Sequence, residues 1–137
     1  MRQLVIAAPA PFEQATGGYA YDRRIVEGLR ARGWNVEVAE LPPGFPAPSA
    51  AELDLTADWL DSLDPTVPVV VDGLAFGALG HIAPAHRDRL KLIALVHHPL
   101  ADETGLDQAT RERLRDGEML ALRAARGVVV TSPFTAH

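Results

Sequence analysis

The sequence predicts an α/β fold with a Rossmann-like, doubly wound parallel sheet. Three observations lead there. Short apolar runs recur at residues 4–8, 67–71, 92–96 and 128–131, and segments of helical periodicity lie between them. The runs are nearly continuous in apolar character, as strands buried on both faces are. Gly, Pro, Asp or Asn punctuates most junctions. Strand–helix alternation with right-handed crossovers then predicts about five strands in the order 3-2-1-4-5, with helices on both faces.

The first strand, residues 4–8, is closed by Pro9 and Pro11. A small-residue loop containing Gly17 and Gly18 leads into a helix over residues 19–32. Tyr21, Ile25 and Leu29 fall at i, i+4 and i+8, so one face of it is apolar. Asp22 suits its positive N-terminal end and Gly33 its C-terminal cap. Residues 35–39 alternate as a second strand. Four prolines between residues 41 and 50 make a stiff loop. Ser49 and Glu52 match a capping box that opens a second helix, with Leu53, Ala57, Leu60 and Leu63 as its apolar stripe. The third strand, residues 67–71, ends at Asp72-Gly73. Residues 74–90 carry only a helical turn, limited by Gly77, Gly80 and Pro84. The fourth strand, residues 92–96, runs into His97, His98 and Pro99. A long helix over residues 108–125 follows, N-capped by Asp107 and closed by Gly127. Leu114, Gly117, Ala121 and Ala124 form its inner face. The fifth strand covers residues 128–131. Ser132-Pro133 then announces a helix, and the sequence ends four residues later. The expectation is a fragment whose next helix lies beyond His137, leaving part of one sheet face uncovered.

The totals set limits. With 137 residues the chain fits one domain with a real core. Thirteen Lys and Arg against eighteen Asp and Glu give a formal charge of −5, which argues against a nucleic-acid footprint. There is no cysteine, so disulfides, thiol nucleophiles and thiolate metal sites are excluded. No apolar run has the length of a signal-peptide core or of a membrane span. A cytoplasmic protein is the expectation.

Ligands of open α/β sheets bind beyond the carboxyl ends of the strands, at the topological switch point. In the predicted order this point lies between the first and fourth strands, where Gly17-Gly18 and His97-His98 would meet. Glycines at a helix start let backbone amides approach a phosphate or a sugar hydroxyl; a turn needing positive φ is the plainer alternative. An ordinary histidine titrates near neutrality, so His97 and His98 would serve as a base, donor or orienting group in the crevice, as buried histidines bonded to backbone, or as a metal pair. Adjacent histidines at a strand end point in different directions, which argues against both binding one metal. Asp72 would hold a hydroxyl-bearing ligand or serve the turn. Asp102 and Glu103 form a carboxylate pair or a solvated loop. Glu118 is a buried hydrogen-bonding acid or part of a solvated face. No Gly-x-Ser-x-Gly elbow, P-loop or Gly-x-Gly-x-x-Gly fingerprint occurs, so Glu40 at the end of the second strand carries little weight as a ribose ligand.

Taken in order, these segments resemble a known family. Gly17-Gly18 precedes a helix of the form Tyr-x-x-Arg-Ile-Val-x-Gly-Leu-x-x-Arg-Gly-Trp-x-Val. The later Leu-Val-His-His-Pro-Leu-x-x-Glu-Thr-Gly is similar to a strand–histidine segment, and residues 118–132 to a closing helix and strand. Together they resemble the N-terminal domain of retaining GT-B-fold glycosyltransferases (glycosyltransferase group 1, family 4-like) over nearly the whole chain. The resemblance implies hexosyl transfer from a nucleotide-sugar donor to an acceptor hydroxyl, with retention of anomeric configuration.

On this basis residues 1–137 are the acceptor-side domain, and the donor-binding domain is absent from the chain. His97 or His98 would be catalytic, His97 being the better match to the family histidine beside the transferred sugar. Gly17 and Gly18 would lie near donor phosphate or acceptor, with Asp72 and Glu103 as further substrate-binding residues. The acceptor would be a sugar, a lipid or a small molecule, and a lipid acceptor would bring the protein to the inner membrane surface. The family's usual chemistry requires no metal, there is no Asp-x-Asp site, and no cofactor is implied. The alternatives are a non-catalytic Rossmann-like module for a nucleotide or phosphate ligand, and a nicotinamide-dependent domain without its fingerprint.

Overall fold

The computed structural model describes residues 2–12, 17–45, 47–97 and 107–130. It is α/β, with one five-stranded, wholly parallel sheet. The strands are β1 (Gln3–Pro9), β2 (Asn35–Leu41), β3 (Val69–Asp72), β4 (Leu92–Val96) and β5 (Gly127–Val130). The helices are α1 (Gly17–Ala31), α2 (Ala50–Asp61), the single turn α3 (Gly73–Phe76) and α4 (Gln108–Arg123), with a 3₁₀ turn at Ala83–His86.

The strand order is β2-β1-β3-β4-β5, which corrects the predicted 3-2-1-4-5. The reason lies in the two sides of β1. Leu4, Ile6 and Ala8 pack with Val26, Ile25 and Leu29 of α1, whereas Val5 and Ala7 pack with Leu60 of α2. With α1 and α2 on opposite faces, two right-handed crossovers must run in opposite directions. The first steps outward to β2. The second carries the chain back past β1, so β3 pairs with β1, with Val5 beside Val69 and Ala7 beside Val71. Strand composition agrees: Asn35, Glu37 and Glu40 are exposed or half-buried on β2, which suits an edge, while β1, β3 and β4 are apolar throughout their interiors.

Local signals explain the element ends. The Ser49 hydroxyl accepts from the Glu52 N–H at 3.1 Å, and Glu52 Oε1 accepts from the Ser49 N–H at 3.0 Å, completing the capping box. Asp107 accepts from the Thr110 N–H at 2.7 Å. Gly33 has φ +88°, and the Trp34 N–H reaches back to the Leu29 carbonyl at 3.0 Å, closing α1 in a left-handed cap. Two expectations shift. Gly17 and Gly18 belong to the first turn of α1. Gly127 starts β5, and α4 ends instead on Ala124.

The larger core joins α2, α3 and α4 to one face of β1, β3 and β4, with Phe76, Leu79, Leu60, Leu90 and Leu92 fully or almost fully buried. On β5, Val128, Val129 and Val130 are exposed. Among the described residues no helix is long and apolar enough to cross a membrane.

Close backbone contact holds the segment after α3 against α4. A Cβ on Gly80 would stand 2.6 Å from the Gly117 carbonyl oxygen and 3.1 Å from its Cα. Backbone cannot yield as a side-chain tip can, so Gly80→Ala is expected to cost about 1–3 kcal/mol. Urea denaturation of the two proteins measures it, and equal midpoints would show that this contact is slack.

Candidate functional site

Three ionisable side chains from three elements converge at the carboxyl end of the sheet. Asp72 is the last residue of β3 and the N-cap of α3, where its Oδ1 accepts the Leu74 N–H at 2.9 Å. That leaves Oδ2 facing His97, the residue directly after β4. The ladder pairs Asp72 with Leu95, so His97 stands two residues farther along the neighbouring strand. Asp22 comes from α1. His97 Nε2 lies 3.2 Å from Asp22 Oδ1 and 3.2 Å from Asp72 Oδ2. Tyr21 packs edge-on against the imidazole, with ring centroids 5.7 Å apart and planes at 71°.

Burial divides the three groups into two kinds. The Asp22 and Asp72 side chains are 0% and 1% exposed, while His97 keeps 17%. Of the three side chains, the imidazole is the one that solvent reaches. Burial pushes the Asp22 carboxyl up to about 7, against the pull of its hydrogen bond to His97, and neighbouring Asp72 adds to the rise. Burial also pushes Asp72 upward. There, hydrogen bonds from His97, Asp22 and the Leu74 N–H prevail and hold it below the ordinary range. The bonds to Asp22 and Asp72 lift His97 to about 9, against its partial burial. Near neutral pH the cluster is an imidazolium, one carboxylate and one carboxyl poised to share a proton.

This charge state revises the chemistry expected of His97. An imidazolium held up to about 9 is a poor general base at pH 7. It is well suited to donate a charge-assisted hydrogen bond to an anionic or hydroxyl oxygen.

The sequence-derived site is assembled in part. His97 is where it was expected, at the end of the fourth strand. Asp72 is brought to it, but it is buried and turned to His97. The switch point lies between β1 and β3, in place of the first and fourth strands. Contact from α1 comes through Tyr21 and Asp22, the fifth and sixth residues of the helix that Gly17 and Gly18 open. His98, Asp102 and Glu103 lie outside the described residues. Glu40 accepts the Phe12 N–H at 3.2 Å and so ties the first loop to β2. Glu118 is buried on α4.

Asp22 is the member of the cluster that sequence reasoning missed, having been assigned to the helix dipole. Its spacing carried a signal. Asp22 stands three, four and seven residues before Ile25, Val26 and Leu29, on the apolar stripe. An acid on a buried stripe needs a partner.

Protein-family models, curated proteins and solved structures give no match to this chain. The functional reading therefore rests on the cluster, its place in the fold and the motifs around it.

The raised His97 has a consequence for stability. Between pH 6.5 and 9 the folded chain keeps a proton that the unfolded chain has lost, so stability is present below 6.5 and falls as pH rises through 9. In buffers containing a chelator, the thermal midpoint should drop across this window, and more shallowly for His97→Gln. An equal slope in both proteins would mean that another group titrates.

Proposed function

We propose that this chain is the acceptor-side domain of a retaining GT-B-type glycosyltransferase. The observation that carries the reading is His97, a cationic donor at the end of β4 held by two buried aspartates at the carboxyl end of a Rossmann-like sheet. The Gly-Gly helix start and the order of the motifs along the chain support it.

In this reading a nucleotide-sugar donor and an acceptor hydroxyl meet above His97. The bond from the sugar's anomeric carbon to the diphosphate breaks, and a bond from that carbon to the acceptor oxygen forms on the same face. The diphosphate leaves with the bonding electrons, and the acceptor proton passes to it or to solvent. His97 donates its hydrogen bond to an oxygen of the transferred sugar or of the phosphate, where negative charge gathers. Asp22 and Asp72 keep the ring charged and oriented, and Tyr21 restrains its plane. Gly17 and Gly18 offer backbone amides to the acceptor or the donor phosphate. The groups that bind the nucleotide belong to a second domain outside these residues. The acceptor, a sugar, lipid or small molecule, is held on this side.

The test uses the full reading frame that contains these residues, screened for release of nucleoside diphosphate from nucleotide sugars. Removing a preorganised donor costs on the order of 10²–10³ in kcat. His97→Ala should show that loss with its circular dichroism spectrum unchanged. Asp72→Asn should lower kcat less and move the alkaline limb of the pH profile downward, because the ring loses a charged partner. Full activity in His97→Ala sinks the assignment. Nucleotide binding without any turnover would favour a non-catalytic phosphate-ligand module.

A further inference from the structure

The arrangement of Asp22, Asp72 and His97 is unusual for a hydrogen-bonded network alone. Nε2 carries at most one proton, which two acceptors can only share in a weakened three-centre bond. Here it stands equally far, 3.2 Å, from two carboxylate oxygens. Charge-assisted N–H···O bonds ordinarily close to about 2.7–2.9 Å. The spacing matches a different geometry. Ligand atoms about 2.0–2.1 Å from a common centre stand roughly 3.0 Å apart when octahedral and roughly 3.4 Å apart when tetrahedral. One donor atom from each of the three residues falls within 4.8 Å of the others.

A second observation concerns Asp22 itself. The residue is fully buried, and its Oδ2 has no hydrogen-bond partner among the described residues. It shares a carboxylate with the Oδ1 that faces His97, so the unsatisfied oxygen is part of the same cluster. A buried acceptor left unpaired is costly. A cation among the three side chains would satisfy it and would balance two carboxylates against a neutral imidazole.

We propose that Asp22, Asp72 and His97 form a binding site for one divalent transition-metal ion, Zn²⁺ or Mn²⁺, at the carboxyl end of the sheet. The donor set selects the class. Two carboxylates and an imidazole suit borderline first-row ions, whereas Ca²⁺ and Mg²⁺ favour all-oxygen sets and Cu(I) favours thiolates. His97 is the least buried of the three, so water or an anionic oxygen completes the coordination from its side. The site shares His97 with the glycosyl-transfer reading and holds the ring neutral when metal is bound, and its test reads metal, not sugar.

The chain is stripped with EDTA, dialysed against micromolar Zn²⁺ or Mn²⁺ and analysed for bound metal. One equivalent per chain and a raised thermal midpoint are expected. Asp22→Asn and His97→Gln should each weaken binding by more than the 10–100-fold typical of losing an outer-shell partner. No bound metal above a buffer blank overturns the site, as does full binding in folded Asp22→Asn. A readout independent of the variants comes from imidazole NMR of the unmodified chain. Substoichiometric Mn²⁺ should broaden the His97 ring signals before those of His81 and His86. Broadening centred on His86, which lies 3.5 Å from exposed Asp61, would place the ion elsewhere and overturn the proposal.

Discussion

Two aspartates buried beside one histidine impose the central constraint on this fold. A lone buried carboxylate would shed its charge or destabilise the chain. Asp72 keeps its charge because the Leu74 N–H and the imidazole both reach it. Asp22 Oδ1 faces the imidazole, its Oδ2 has no hydrogen-bond partner among the described residues, and burial lifts its carboxyl to about 7. The three groups therefore form one charge unit. Changing the occupancy of any site, by proton or by cation, changes the other two.

That unit exists only because of the strand order. In the order 3-2-1-4-5, the third and fourth strands would be separated by three inter-strand spacings, about 14 Å. Asp72 would then be far out of reach of His97. The return crossover through α2 puts β3 between β1 and β4, and the carboxylate arrives next to the imidazole. The same crossover frees the opposite face of β1 for α1, whose Asp22 enters from that side. The apolar alternation of β1, with Leu4, Ile6 and Ala8 against Val5 and Ala7, underlies both arrivals.

This explains which parts of the molecule were legible in the sequence. Apolar runs and caps are local, and they placed all five strands, the three long helices and the left-handed Gly33 cap within a few residues. His97 was legible because it ends a strand. The strand order was harder to read because handedness allows either direction of travel after β2. The polar alternation of Asn35, Glu37 and Glu40 was the available clue, since it marks an edge. Asp22 was hidden by an ambiguity. An acid in the second turn of a helix fits a dipole argument as well as a buried site, and only its position on the Ile25–Leu29 stripe separates the two.

The division between buried acids and a partly exposed imidazole also limits how this crevice can discriminate ligands. Neither carboxylate reaches solvent, so in the proposed reading neither meets a substrate directly. The ring is fixed by two oxygens on one nitrogen and by the edge of Tyr21 across its face. A ring restrained in this way loses little entropy when it engages a ligand, and its donor direction is set beforehand. In the proposed reading, selectivity comes from the angle and charge of the oxygen that approaches this ring. In that reading the buried pair sets the strength of the contact, because it fixes both the charge and the orientation of the ring.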